Sequence, residues 1–348
     1  MEESLKDLKR ISWVCSEEEY RADSSYSYST LAKYNREGFN KLDTLFDKVE
    51  SPSLTFGSAV DSIITGGEEE FNERFFVADF PEIQDSQRKI VDTLYKDFGN
   101  TYQYLLEIPD STIINYTEQL KFQLNWKPET RVKVLRNNCS YYYNLLLVSE
   151  GKTVLDNNTY TDVLDCVDAL KGSDATKWYF AKDNPFDGIN RYYQLKFKGE
   201  WEGIPLRCMA DLIIVDHKNK VIIPCDLKTS SKKEWEFYKS FIEWNYWIQA
   251  QLYWYIIRQN LDKDEVYKDY KLLDYRFIVI SRNSEMPLVW IYPDTQVITD
   301  CTYGSKGQYV CRNWRTIVKE LHYYLTHSPE YPIGVTEIND IKSWLNQE

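Results

Sequence analysis

The rhythm of hydrophobic and polar positions changes near residue 191. From Arg191 to Gly199 the chain alternates as a half-buried strand does, and Ile204 to Val215 and Val221 to Lys228 are apolar runs rich in Val and Ile. These three stretches predict strands. From about Lys233 to Asn260, the side chains of Trp235, Tyr238, Phe241, Ile248, Leu252 and Tyr255 share one side of a helical net, which predicts one long amphipathic helix. Strands are expected again at Leu272 to Ser281 and Pro287 to Tyr292, and a last helix at about Arg312 to Thr326. Strands, then a helix, then more strands predict an α/β or α+β core with a central mixed sheet flanked by helices.

The upstream half is less regular. Ser27 to Phe39 has helical spacing, with Ser27 or Ser29 as its cap. Ser53 to Gly57 reads as a turn or short strand, followed by a short helix, SAVDSIIT, that Gly66 and Gly67 close. Residues 68 to 190 are mostly helical, acidic and irregular, and predict an insertion or subdomain within a single domain spanning 1–348. Residues 191–295 then carry the sheet and the helix that follows it.

Composition narrows the class. The chain has 348 residues, 43% of them hydrophobic and 28% charged, as expected of a globular protein. The most apolar helical stretch, Tyr246 to Ile257, is short and interrupted by Gln249 and Gln251, so no membrane span is expected. The N-terminal MEESLKDLKR has no apolar signal core, which points to the cytoplasm. Seven scattered cysteines without a CxxC pair read as reduced thiols, with Cys208 and Cys225 in the core. The net charge of −12 argues against a general nucleic-acid binder. Charge is local, however. Lys121, Lys127, Arg131, Lys133 and Arg136 form one basic cluster, and Lys228, Lys232, Lys233 and Lys239 another. A solvated face is the ordinary reading of either.

The candidate chemistry lies in Asp226-Leu227-Lys228. Residues two apart on a strand share a face, so Asp226 and Lys228 point one way and Leu227 into the core. The triplet alone says little: Asp7–Lys9, Glu150–Lys152, Asp269–Lys271 and Asp340–Lys342 have the same form, and an exposed ion pair is the usual meaning. Asp226 differs because it ends an apolar strand and because a second acid, Asp211, interrupts the apolar strand before it. Such acids are costly unless paired or metal-bound. If the hairpin turns at Lys218–Asn219, Asp211 falls opposite Asp226. Two carboxylates so placed stay ionised together when a cation lies between them, and an all-oxygen set suits Mg²⁺ or Mn²⁺. Pro224 cannot donate to a ladder, so a bulge there would shift this register. Gln249 and Tyr253, four apart, share a face of the long helix.

Together, GIPLRCMADLIIVDHKNKVIIPCDLKTSS and WIQAQLYWY resemble the PD-(D/E)xK nuclease superfamily, in particular its RecB-like and RecE-like phage and bacterial exonucleases. The upstream YSYSTLAKYNREGF and LTFGSAVDSI resemble that group's opening segment. The resemblance implies a restriction-endonuclease-like core. Asp211, Asp226 and the Leu227 backbone carbonyl would hold the metal, Lys228 would orient or help deprotonate the attacking water, and Gln249 and Tyr253 would support the site. It further implies hydrolysis at double-stranded DNA ends, 5′-phosphate products and a role in phage-type recombination beside a single-strand annealing protein. Lys232, Lys233, Arg131, Lys133 and Arg136 are the candidate DNA contacts. A homo-oligomer is compatible with this reading. Two positions depart from the pattern: Asp61 stands where the group has His, as a further metal ligand or a surface acid, and Gln194 where an upstream Glu is common. No iron–sulfur cluster is expected, since Cys301 and Cys311 lack the spacing. The alternatives are a structure-specific endonuclease on the same fold and a non-cutting DNA-binding or assembly module.

Overall fold

The structure is a computed structural model that describes residues 6–47, 51–184, 186–283 and 286–326. The chain forms two compact units, one of residues 1–49 and 169–348, the other of residues 50–168.

After a 3-10 helix at Leu8–Ile11, the first unit has two α-helices, α1 (Glu17–Ala22) and α2 (Tyr28–Glu37). Ser16 gives α1 a complete capping box with Glu19. Ser27 occupies the cap position of α2 without a side-chain bond to it, and Gly38, at φ 60°, ends that helix.

The second unit begins with α3 (Pro52–Arg74), which is already helical over Ser53 to Gly57, where a turn or short strand was expected. Ser51 caps it and Pro52 occupies its first turn, so the helix starts before the predicted point. Gly67, at φ 72° and ψ −159°, is not helical, so the span is two helical stretches joined at a kink, and the first ends at the expected glycine pair. Then come β1 (Phe75–Val77), α4 (Asp85–Phe98), α5 (Asp110–Gln119), α6 (Pro128–Val148), β2 (Thr153–Leu155) and α7 (Asn157–Gly172), which runs on into the first unit. Strands β1 and β2 pair in parallel, a feature too short to show in the sequence pattern. This unit has its own core, in which Ile90, Leu94, Leu135 and Tyr143 are fully enclosed.

The first unit resumes with β3 (Ile189–Trp201), β4 (Ile204–Asp216), β5 (Val221–Ser230), α8 (Phe237–Glu243) and α9 (Tyr246–Asp262). Its described residues continue through β6 (Lys271–Leu272), β7 (Arg276–Ser281), β8 (Leu288–Ile291), the hairpin β9 (Cys301–Tyr303) and β10 (Tyr309–Cys311), and α10 (Trp314–Thr326). The sheet order is β3-β4-β5-β7-β8, with β6 also pairing β5. Pairs within β3-β4-β5 and between β7 and β8 are antiparallel, and those of β5 with β6 and β7 are parallel. This is the expected mixed sheet with helices packed on it. Helix α9 lies against β3 and β4, and α2 and α10 pack on α9. The approach is close at Gly199, where a Cβ would come 3.2 Å from Ile256 Cγ2 and 2.8 Å from Gln259 Oε1.

The single helix expected over 233–260 is two helices. Asn245 adopts the left-handed conformation at φ 59°, which Asn tolerates better than most residues. Its side chain accepts from Asn35 Nδ2 at 2.5 Å, and Tyr28 donates to the Trp244 carbonyl at 2.7 Å. Tertiary contacts thus fix a corner that the hydrophobic pattern bridged. Trp235 and Tyr238, placed on the buried side by that pattern, are exposed. Among the described residues no helix is long and apolar enough to cross a membrane.

Candidate active site

The register of β4 on β5 is the predicted one. Leu212 pairs with Cys225, Ile213 with Pro224 and Ile214 with Ile223, with no bulge at the proline. The reason lies in which way the backbone faces. Lys220, Ile222 and Ser230 accept from Lys271, Leu273 and Arg282 through their carbonyls, so the even positions of β5 face β6 and β7. The N–H that Pro224 lacks would point to that side, between the end of β6 pairing at Ile222 and the start of β7 pairing at Cys225. No bond to β4 is lost.

The backbone ladder between β4 and β5 ends at Leu212 and Cys225, one residue short of Asp211 and Asp226. The next N–H facing β4 is that of Leu227, and it donates to Asp211 Oδ2 at 3.0 Å. A side-chain carboxylate thus replaces the backbone acceptor. The core face slips at the same level. It runs through Ile204, Leu206, Cys208 and Ala210 on β4, then resumes at Ile213 and Val215, a step of three where a regular strand has two. On β3 the partners are Phe197 and Leu195, then Tyr192. Gln194, at φ 53°, sits in the matching gap, between the Tyr193–Leu212 and Leu195–Ala210 pairs. Asp211 therefore lies where two strands change face together, and Gln194 is across from it.

Asp226 is on the face covered by α9 and is only 1% exposed. Its Oδ2 lies 2.6 Å from Lys228 Nζ, and its Oδ1 accepts from Gln249 Nε2 at 2.5 Å. Lys228 in turn rests over the Tyr246 ring, 4.5 Å from its centroid. Burial works to lower the lysine's pKa, but Asp226 first, then Tyr246 and Tyr28, outweigh it and hold the pKa above the ordinary value. Lys228 is thus an ammonium throughout the neutral range. Leu227 is on the opposite face and half-buried, where the sequence pattern put it in the core.

Around Asp226 several buried polar atoms lack hydrogen-bond partners among the described residues. Gln249 Oε1 is one, Tyr275 Oη another, and Asp226 Oδ2 has the Lys228 ion pair alone. Tyr275 precedes β7, two residues before Phe277, which pairs with Asp226. Its ring packs edge-on against Tyr253, 6.2 Å between centroids. Burial raises the pKa of both phenols well above the usual value, with Asp226 and Asp211 contributing to each. Nothing local marks Tyr275, just before β7, or Tyr28 and Tyr246, at the starts of α2 and α9, as facing a carboxylate.

Lys232 pairs with Glu243, and the Lys233 ammonium lies 5.0 Å from the Trp235 ring centroid. Asp61, on α3, belongs to the second unit, as do the three upstream basic residues. Arg131 is buried and pairs with Glu118, so it is a packing residue of that unit and not a solvent-facing one. Arg136 pairs with Asp110 at 2.6 Å and donates to the Ile108 carbonyl, while Lys133 is exposed.

Among the described residues no group of three or more His, Cys, Asp or Glu side chains is placed to hold a metal ion. The candidate donors in the first unit are Asp211 and Asp226, with the Leu227 carbonyl on the side of β5 that faces β4. Hard oxygens in that number fit Mg²⁺, which is commonly held by one or two carboxylates and completes its shell with water and substrate phosphate.

No protein-family model matches the chain, and no curated protein matches it. Among solved structures, the chain is similar to a crystal structure described as "Putative exonuclease" from Eubacterium rectale, with a TM-score of 0.39 and 15% identity, over 80% of this chain and 77% of that one.

Proposed function

We propose that this protein is a Mg²⁺- or Mn²⁺-dependent deoxyribonuclease that hydrolyses phosphodiester bonds at the ends of double-stranded DNA. The observation that carries the reading is the convergence on Asp226, a nearly inaccessible carboxylate held by Lys228 and Gln249, with Asp211 bonded to the adjoining backbone. Structural ion pairs are seldom built this way, because burying two charges gains little over apolar packing.

The roles follow from the geometry. Asp211, Asp226 and the Leu227 carbonyl would hold the ion, which supplies an activated water and charge stabilisation at the phosphate. Gln249 fixes one oxygen of Asp226 and so orients the carboxylate. Lys228, held as an ammonium, positions a water by donating to it and offsets charge on the phosphoryl oxygens. It does not act as the base while Asp226 faces it. Tyr253 and Tyr275, buried and packed edge-on, would help keep water from the site. Lys232 and Lys233 follow the site-bearing strand and would meet the DNA backbone. The same reading extends to 5′-phosphate products and to end resection in phage-type recombination beside a single-strand annealing protein.

The test is Mg²⁺-dependent degradation of linear DNA by Asp226→Ala and Lys228→Ala variants, which should lose it. Undiminished cleavage would overturn the site. Closed circular DNA should survive where linear DNA is degraded; equal cutting of both would make the enzyme an endonuclease.

A further inference from the structure

Between β5 and α9 the chain exposes three large aromatic side chains within ten residues: Trp235 at 51%, Tyr238 at 54% and Trp244 at 44%. Each has a cation at its ring. Lys233 Nζ is 5.0 Å from the Trp235 centroid, Lys239 Nζ 5.8 Å from Tyr238 and Arg36 Cζ 5.2 Å from Trp244. Aromatic side chains this large are normally buried, and a helix that only covered a sheet would turn them inward.

The local charge also departs from the rest of the chain. Lys232, Lys233, Lys239 and Arg36 face Glu236 and Glu243, which pair with Lys239 and Lys232. The third acid, Glu234, is withdrawn from the surface: it is buried and accepts from the backbone N–H groups of Ser281 and Met286. Among these named side chains the cations, Lys232, Lys233, Lys239 and Arg36, outnumber the acids left at the surface, Glu236 and Glu243, in a chain of net charge −12. This surface starts from the strand that carries Asp226 and Lys228, and it ends at Tyr246, the ring beneath the Lys228 ammonium.

We infer that this segment is a stacking platform for unpaired bases, and that the chain binds single-stranded DNA through Trp235, Tyr238 and Trp244. Rings stack on base faces, which are open in a single strand and covered in a duplex, and the cations beside them suit the intervening phosphates. A frayed strand held there would be presented beside Lys228. That placement rests on the nuclease reading, whereas the binding itself does not.

The experiment uses the full chain in EDTA, so that cleavage plays no part, and follows the fluorescence anisotropy of labelled oligo-dT and of a duplex of equal length. The wild type should bind oligo-dT more tightly than duplex. Combined Trp235→Ala, Tyr238→Ala and Trp244→Ala substitutions should weaken oligo-dT binding by about tenfold or more. Trp235→Phe and Trp244→Phe, which keep a ring, should retain most of it. Lys233→Ala should lower the salt dependence of binding. Circular dichroism unchanged from wild type checks that the triple variant is folded. Wild-type oligo-dT affinity in that variant, a preference for duplex, or no binding to either probe, as expected of a protein-docking surface, would overturn the inference. None of these outcomes depends on whether Asp226→Ala abolishes hydrolysis, so the two readings fail separately.

Discussion

At the turn end of the β4–β5 hairpin, Asp216 accepts from the Asn219 N–H at 2.9 Å and from Asn219 Nδ2 at 2.7 Å. Burial opposes its ionisation, but the donors of Asn219 and the Lys218 N–H outweigh it and hold the pKa below the usual carboxylate range. At the open end, Asp226 is held by a lysine of its own strand and a glutamine of α9, and Asp211 reaches the backbone of the next strand. Between the two ends lie Ile213, Ile214 and Val215 paired with Pro224, Ile223 and Ile222. One carboxylate uses donors three residues away to shape a turn. The other two need three elements to converge, and they place charge where apolar side chains would pack as well or better. Under the proposed function the turn end is structural and the open end functional, where stability is commonly given up for reactivity.

The sharpest way to break this contrast is to make the open end apolar. Asp226→Leu with Lys228→Met and Gln249→Leu should abolish hydrolysis, a loss of about a thousandfold or more. Its unfolding free energy in urea should be unchanged or raised by about 1–4 kcal/mol. Strong destabilisation would mean that the polar cluster is structural after all. The middle of the hairpin should show the reverse: Ile214→Ala is expected to cost about 2–5 kcal/mol while leaving the turnover of folded molecules intact.

A smaller effect is expected of Gln249→Leu, which leaves both charges in place and removes only the orientation of Asp226. Turnover should fall by about 10- to 100-fold, and a partial rescue by Gln249→Asn would tie the loss to the missing amide. An unaltered rate would reduce Gln249 to a packing residue. The smallest effect belongs to the turn. Asp216→Ala should cost about 1 kcal/mol or less at neutral pH. Because folding lowers this carboxyl's pKa, its contribution is present above the unfolded value, about 4, and is lost as pH falls through the folded one. The gap between wild type and variant in thermal unfolding should therefore close in acid. A gap that stays open would show that the side chain acts through packing.

Much of the fold could be read from the chain because burial repeats with the period of the element. The alternation of β3, the apolar runs of β4 and β5 and the hairpin register all follow from which residues must leave water. Other features could not be read. The corner at Asn245 depends on Asn35 and Tyr28, more than 200 residues away. The left-handed Gln194 is legible only beside Asp211, because a single polar residue in an alternating strand gives no sign of a reversed φ. Arg131 looks like part of a basic surface until Glu118 is found against it.

The sequence by itself determined that two acids and a lysine would stand near one another: hydrophobic periodicity sets the strands, and a two-residue spacing sets the face. Only the tertiary structure decided how they are held. Whether Asp226 is buried, which donor takes each of its oxygens, and whether Lys228 keeps its proton depend on α9, Tyr246 and Tyr28 closing over the strand end. Those contacts join residues distant in sequence, and electrostatics at such a site is set by what excludes water, which no local pattern records.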